Sequence, residues 1–215
     1  MKLKVCGMKY VDNIRQVAEL KPDYLGFIFY ERSKRNFEGI IPEIPKGIKK
    51  TGVFVNEYLE ILVSLAEEYK LEALQLHGDE SVAYIKELKS HLERSREEKR
   101  LPKVEIIKVF GIKDTFDFSI LEEYESVVDY FLFDTKGKER GGNGVVFDWT
   151  VLKDYPSTKP FFLSGGIGLE EVPDVLSFLR RQESQYCVAL DVNSKFETKP
   201  GLKSIKELKK FKNEI

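Results

Sequence analysis

Four residues of this 215-residue chain stand where acid–base chemistry could be done: Cys6, His77, Asp134 and Asp191 each close a short run rich in leucine, β-branched or aromatic residues. A thiol, an imidazole and two carboxylates exchange protons near neutral pH when their surroundings tune them. Taken singly, each has an ordinary explanation. A lone cysteine is usually a small buried hydrophobe, and a histidine or aspartate at a strand end often braces a loop. Convergence of all four on equivalent positions is the signal. A second one lies in Ser164-Gly165-Gly166-Ile167-Gly168 and Asp191-Val192-Asn193-Ser194, each following such a run. Glycines let backbone N–H groups approach an anion closely, so these stretches read as a phosphate cradle.

The runs that position these residues are Leu3–Cys6, Tyr24–Phe29, Gly52–Val55, Ala73–His77, Val104–Phe110, Tyr130–Asp134, Phe161–Ser164 and Val188–Asp191, all strand candidates. Helical patterns follow most of them, at Val11–Leu20, Tyr58–Tyr69, Ser81–Leu92, Phe118–Tyr124, Trp149–Lys153, Leu169–Leu179 and Ser204–Lys212. The stretch Gly39–Pro45, with Pro42 and Pro45, leaves room for no more than a turn. Strands alternating with helices predict a parallel sheet, because parallel neighbours need crossover connections. A single (β/α)8 TIM barrel over residues 1–215 fits this pattern and the α/β class. The rival, an open doubly wound sheet, expects a glycine-rich turn after the first strand, and Cys6-Gly7-Met8-Lys9 is not one.

Strand side chains alternate between faces. Leu3 and Val5 share one face and Lys4 and Cys6 the other; Leu74 and Leu76 oppose Gln75 and His77; Phe131 and Phe133 oppose Leu132 and Asp134; Val188 and Leu190 oppose Ala189 and Asp191. The polar members therefore face the barrel interior and gather at the C-terminal strand ends, where barrel active sites lie. Thirty-five Lys and Arg against 36 Asp and Glu give a net charge of −1, which argues against a nucleic-acid partner. The mixed charges of residues 93–100 read as a solvated helix extension. Two cysteines build no disulfide framework, and no apolar run reaches the ~18 residues of a membrane span. The first seven residues also lack a signal-peptide apolar run. A cytoplasmic location without membrane contact is expected, as a monomer or homodimer.

These residues carry a resemblance. The segments Lys4-Val5-Cys6-Gly7-Met8, Ser33-Lys34-Arg35, Gln75-Leu76-His77-Gly78-Asp79-Glu80, Phe133-Asp134-Thr135, Gly141-Gly142-Asn143-Gly144 with Phe147-Asp148-Trp149, Ser164-Gly165-Gly166-Ile167, and Asp191-Val192-Asn193-Ser194 with Glu197, Pro200 and Gly201 occur in order. Together they make the chain resemble the phosphoribosylanthranilate isomerase family of tryptophan biosynthesis over essentially its whole length. The resemblance implies a cofactor-free, metal-free Amadori rearrangement of a phosphorylated aminoaldose. It implies Cys6 as general base and Asp134 as general acid, Arg35 on the anthranilate side, and phosphate contacts from Gly165, Gly166, Asn193 and Ser194. His77 and Asp191 are further candidate substrate contacts. Lys34, Asn143, Asn193 and Ser204 depart from common family residues, and the stretch from Arg94 to Arg100 looks like an insertion.

The chemistry is compatible with these residue types. Ring opening needs a proton on the ring oxygen, which suits a carboxylic acid, and the Schiff base then acidifies C2′, which a base must deprotonate. A thiolate serves if its pKa falls below about 8.5, and Lys4, two residues earlier on the same face, is a source of positive charge. Pairing of Lys4 with Asp191 in the barrel interior is the equally weighted reading. Cys6 is expected at an accessible rim, and Cys187, four residues before Asp191, about 13 Å lower at ~3.3 Å per residue. Two other readings are another sugar-phosphate isomerase or epimerase barrel, and a non-catalytic barrel that binds phosphometabolites. With only His77 and His91, the chain is poor in the ligands a metal-dependent epimerase needs, and the joint presence of Cys6 and Asp134 speaks against mere binding.

Overall fold

A computed structural model describes residues 1–99, 103–135 and 147–215; the Gly141–Gly144 segment and Arg100 lie outside the described residues. Eight parallel strands close into a barrel in chain order: β1 (Lys2–Val5), β2 (Tyr24–Phe29), β3 (Lys49–Phe54), β4 (Ala73–Leu76), β5 (Glu105–Ile112), β6 (Tyr130–Thr135), β7 (Phe161–Leu163) and β8 (Cys187–Val192). The seam joins β1 to β8 with Lys4 opposite Asp191. The α/β-barrel expectation is met. Cys6, His77 and Ser164 fall one residue past their strands, in the loops of the C-terminal rim.

Alternation works as the pattern dictates. Leu3, Val5, Leu74, Leu76, Phe131, Phe133 and Leu190 pack outward, whereas Ala73, Ile107, Leu132, Phe162 and Ala189 fill the interior. The interior has polar ends. Tyr24 hydrogen-bonds Glu105 at 3.2 Å and Lys49 pairs with Glu105 at the N-terminal end, while Lys4, Gln75 and Asp191 are buried toward the other. Val188 departs from expectation, packing against the inner cluster rather than outward. The β7–β8 register shifts there, with Phe161 opposite Cys187 but Phe162 opposite Ala189, so Val188 is an extra residue that breaks the two-residue period.

The outer layer is less regular than the sequence pattern. Helices α1 (Val11–Glu19), α2 (Leu59–Glu68), α3 (Val82–Lys99), α4 (Val172–Phe178) and α5 (Ile205–Glu214) form, and α3 runs on into the charged stretch as a solvated extension. The expected helices at Phe118–Tyr124 and Trp149–Lys153 are instead 3₁₀ turns at Phe118–Leu121 and Trp149–Asp154. Such short segments recover little of the cost of nucleating an α-helix. Asp117 and Asp148 each cap the second following N–H, and Pro156 excludes helical backbone at Tyr155. Between β2 and β3 no helix forms, and an aromatic group takes its place. Phe37 packs edge-on against Phe27 at 5.1 Å and Phe29 at 6.0 Å, with Tyr69 of the α2 end behind it at 5.8 Å.

Two features were not evident beforehand. A hairpin of β9 (Glu197–Lys199) and β10 (Leu202–Lys203) turns at Pro200-Gly201 and sets Lys203 opposite Glu197. Asn13 of α1 grips it, donating to the Lys203 carbonyl at 3.0 Å and accepting from the Lys203 N–H at 2.7 Å. The second is the β4 loop clamp. Buried Glu80 accepts from the N–H of Asn56 (2.9 Å) and Gly78 (2.9 Å) and from Lys108 Nζ (3.2 Å). Glu80→Ala removes the acceptor of two buried backbone N–H groups and one acceptor of Lys108, whose Nζ keeps the Gly78 carbonyl at 2.8 Å. The expected cost is about 1–3 kcal/mol, read as a lower urea midpoint at unchanged slope.

Candidate active site

One cavity of about 390 Å³ opens at the C-terminal end of the barrel. Its walls include Cys6, Arg35, His77, Asp134, Gly165, Gly166, Asp191, Asn193 and Ser194. All nine residues singled out in the sequence thus meet in one place, in a volume suited to a small metabolite. Among the described residues no three His, Cys, Asp or Glu side chains group as metal ligands would.

The cavity floor is electrostatic. Lys4 donates to Asp191 Oδ1 at 2.8 Å inside the barrel, and Ser164 Oγ donates to Asp191 Oδ2 at 3.4 Å. Burial alone would lower the Lys4 pKa, but the facing Asp191 carboxylate and Cys6 outweigh it and keep the ammonium charged. Lys4 thus pairs with Asp191, and its charge also favours the Cys6 thiolate against the burial that opposes it.

Cys6 itself differs from expectation in two respects. It is 4% exposed, tucked over β2 rather than standing on an open rim. A Cβ on Gly26 would come within 2.8 Å of its sulfur, so the missing side chain of Gly26 is what makes room for the thiol. Its pKa is also raised rather than lowered. Burial pushes the thiol up, and the cations of Lys4 and Lys203 only partly offset this. Desolvation wins because removing a thiolate from water costs more here than two cations, one already committed to Asp191, return.

On the opposite wall, Asp134 Oδ1 accepts from the N–H of Thr135 at 2.9 Å, and Oδ2 lies 3.5 Å from His77 Nε2. The phosphate-type loop follows β7. Gly165 has φ +94°, and a Cβ there would meet the Thr135 backbone nitrogen at 2.6 Å, so both conformation and space require glycine. Exposed Lys195 follows Ser194 at the cavity edge, 3.6 Å from Glu171.

Arg35 enters from the β2 loop but is already held. Its Nε and Nη2 donate to Glu197 across bonds of 2.7–3.0 Å. Lys203 Nζ completes the network with bonds of 2.7 Å to Glu197 Oε1, 2.7 Å to Asn193 Oδ1 and 3.2 Å to the Asn193 carbonyl. Burial favours the neutral Glu197 acid, yet Arg35 and Lys203 prevail and hold it below the usual glutamate value. Burial pulls Lys203 down to about 8 despite Glu197. Sequence reasoning assigned no role to Lys203. Its available signal was the Pro200-Gly201 turn, which folds Lys203 back onto Glu197.

The family model for N-(5′phosphoribosyl)anthranilate (PRA) isomerase matches residues 3–214. The chain is 42% identical to the N-(5′-phosphoribosyl)anthranilate isomerase of Parabacteroides distasonis, over 100% of this chain and 93% of that protein. It superposes on the crystal structure of phosphoribosyl anthranilate isomerase from Thermotoga maritima with TM-score 0.78 at 29% identity, covering 100% of this chain and 98% of the other. A further crystal structure of the isomerase, in complex with reduced 1-(o-carboxyphenylamino)-1-deoxyribulose 5-phosphate, matches with TM-score 0.73 at 28% identity, covering 98% and 96%.

The geometry separates the two cysteines. Cys187 is buried in the layer between barrel and helices, not in the barrel interior, and burial pushes its thiol up to about 12. Cys6 faces the cavity. Iodoacetamide should alkylate Cys6 first, slowly for a thiol, and activity should fall in step; peptide mapping with Cys187 labelled first would contradict this.

Proposed function

The chain belongs to the N-(5′-phosphoribosyl)anthranilate isomerase family, and on that premise we propose that its proton transfers run through Cys6 as general base and Asp134 as general acid. The reaction is the rearrangement of N-(5-phosphoribosyl)anthranilate to 1-(2-carboxyphenylamino)-1-deoxyribulose 5-phosphate in tryptophan biosynthesis, an intramolecular aldose–ketose oxidoreduction. One observation carries the residue assignment: a thiol and a carboxyl line the same cavity as the glycine loop after β7 and the Arg35 guanidinium. Residues 1–215 act as one catalytic domain in this reading, which the family match over residues 3–214 supports.

The substrate phosphate lies against the backbone of Gly165 and Gly166 and the Asn193-Ser194 turn, where N–H groups favour an anion. Asp134 gives its proton to the ring oxygen as the C1′–O bond breaks, and the anilino nitrogen lone pair forms the Schiff base. The iminium charge acidifies the C2′ hydrogen. It also joins Lys4 and Lys203 beside Cys6, and this added positive charge offsets the burial that holds the thiol up in the unliganded barrel. As that charge forms, Cys6 releases its thiol proton to solvent, and the thiolate removes the C2′ proton. The enolamine takes a proton at C1′ from the Cys6 thiol and gives the one on its C2′ oxygen to the Asp134 carboxylate, which yields the aminoketose and restores the acid. Cys6 regains its proton from solvent as product leaves, and no electrons enter or leave the site. The phosphorylated aminoaldose is the partner, and this reading keeps the chain in the cytoplasm, away from nucleic acid and membrane. No described helix is long and apolar enough to cross a membrane.

Asp134→Asn keeps the shape but donates no acid proton, so kcat should fall about 10²–10⁴-fold with little change in KM. Cys6→Ser should also lose most turnover, since a hydroxyl is far too weak a base near neutral pH. Loss of anthranilate-type fluorescence on freshly prepared substrate reads both, and near-wild-type turnover of either variant would remove that residue from the mechanism. Arg35, already oriented by Glu197, receives the anthranilate carboxylate in this reading; Arg35→Ala should chiefly raise KM, and an unchanged KM would move that contact elsewhere.

A further inference from the structure

Gln75 is the one inward-facing polar residue of β4 itself, lying in the cavity wall two positions before His77. Its Nε2 lies 3.1 Å from His77 Nδ1, and His77 Nε2 lies 3.5 Å from Asp134 Oδ2. Amide, imidazole and carboxyl thus form a chain from the barrel interior to the group that delivers the ring-opening proton. We propose that Gln75 is a positioning residue: its amide N–H fixes His77 as the Nε2–H tautomer, and His77 in turn aims the carboxyl of Asp134.

The argument is one of donors and acceptors. A neutral imidazole has one of each. An amide N–H directed at Nδ1 makes that nitrogen the acceptor, so the ring proton sits on Nε2, toward Asp134. Reversing the amide would put the proton on Nδ1 and leave Nε2 as an acceptor, which would draw the acid proton of Asp134 toward His77 and away from substrate. With Oδ1 fixed by the Thr135 N–H, an Nε2–H facing Oδ2 across 3.5 Å attracts that oxygen without a close hydrogen bond and so biases the plane of the carboxyl toward one orientation.

A merely space-filling role does not account for Gln75. The residue is 2% exposed, and its Oε1 is buried without a hydrogen-bond partner among the described residues. An orphaned buried carbonyl is costly, and an apolar side chain of similar length would fill the position without that cost. The amide is retained with one of its two polar ends unsatisfied and the other on His77.

The inference rests on Asp134 as the acid, and its test is separable from that assignment. The chain has two histidines, His77 and half-buried His91 on α3, so 15N-histidine labelling gives two rings, assigned by His91→Asn. At neutral pH the His77 ring of the wild-type protein should show a protonated Nε2 and an unprotonated Nδ1. Gln75→Met should mix the tautomers and lower kcat by roughly tenfold to 10²-fold with KM little changed, less than the ~10²–10⁴-fold expected for loss of the acid. Gln75→Glu, which presents a carboxylate to Nδ1, should move the proton there or charge the ring. A wild-type His77 protonated on Nδ1, or Gln75→Met with wild-type kcat and tautomer, overturns the proposal. A wild-type His77 protonated on Nδ1 overturns it even if neither variant folds. The role of Asp134 is read separately from the kcat of Asp134→Asn.

Discussion

The ion pair between Lys4 and Asp191 lies where the barrel closes. Strands β1 and β8 form the seam, and their register sets these residues opposite one another, with the bond at 2.8 Å and both side chains nearly inaccessible. Such a pair is weak evidence for stability, because desolvation consumes most of the attraction. Its consequence is positional. A charged ammonium is held beneath Cys6, and a carboxylate beneath the β7 loop, only when the seam closes in this register. A slip of one residue turns every side chain of β1 to the other face.

Around that floor the cavity has two differently built ends. At one, the loops after β7 and β8 offer backbone N–H groups and glycine conformations, which need local chain geometry and no charged side chain. At the other, Arg35 owes its orientation to the C-terminal hairpin through Glu197, which Lys203 and Gly201 also bind. Asn13 clamps the hairpin to α1. The two ends are joined through Lys203, which touches both Asn193 and Glu197, so the hairpin braces the loop after β8 and the guanidinium together.

The central tension is between burial and charge at Cys6. Enclosing the sulfur excludes water from it, and the same enclosure raises the thiol pKa. Two nearby cations lessen the penalty without removing it. In the proposed mechanism base strength is therefore largely a property of the complex, in which substrate adds positive charge at the carbon to be deprotonated. In Cys187, equally buried but with neither lysine among the charges acting on it, burial pushes the thiol up to about 12.

The strand period was enough to tell inside from outside for Lys4, Cys6, Gln75, His77, Asp134 and Asp191, and their places in the runs put most of them at one rim. Both facts follow from backbone geometry that every strand shares, so they are legible locally. Failures came where local pattern met its neighbours. Val188 reversed because a register shift between β7 and β8 inserted a residue, and two expected helices tightened to 3₁₀ turns, each opened by an aspartate that caps the second following N–H. The pairing of Arg35 with Glu197, 162 residues away, and the burial of Lys203 against Asn193 have no local trace. The direction of the Cys6 pKa is likewise a sum over surroundings supplied by β1, β2, β8 and the hairpin. Sequence determined which side chains face the interior, because alternation is a property of a single strand. Only the closed barrel decided what each one touches, because partners, water exclusion and field come from strands far apart in the chain.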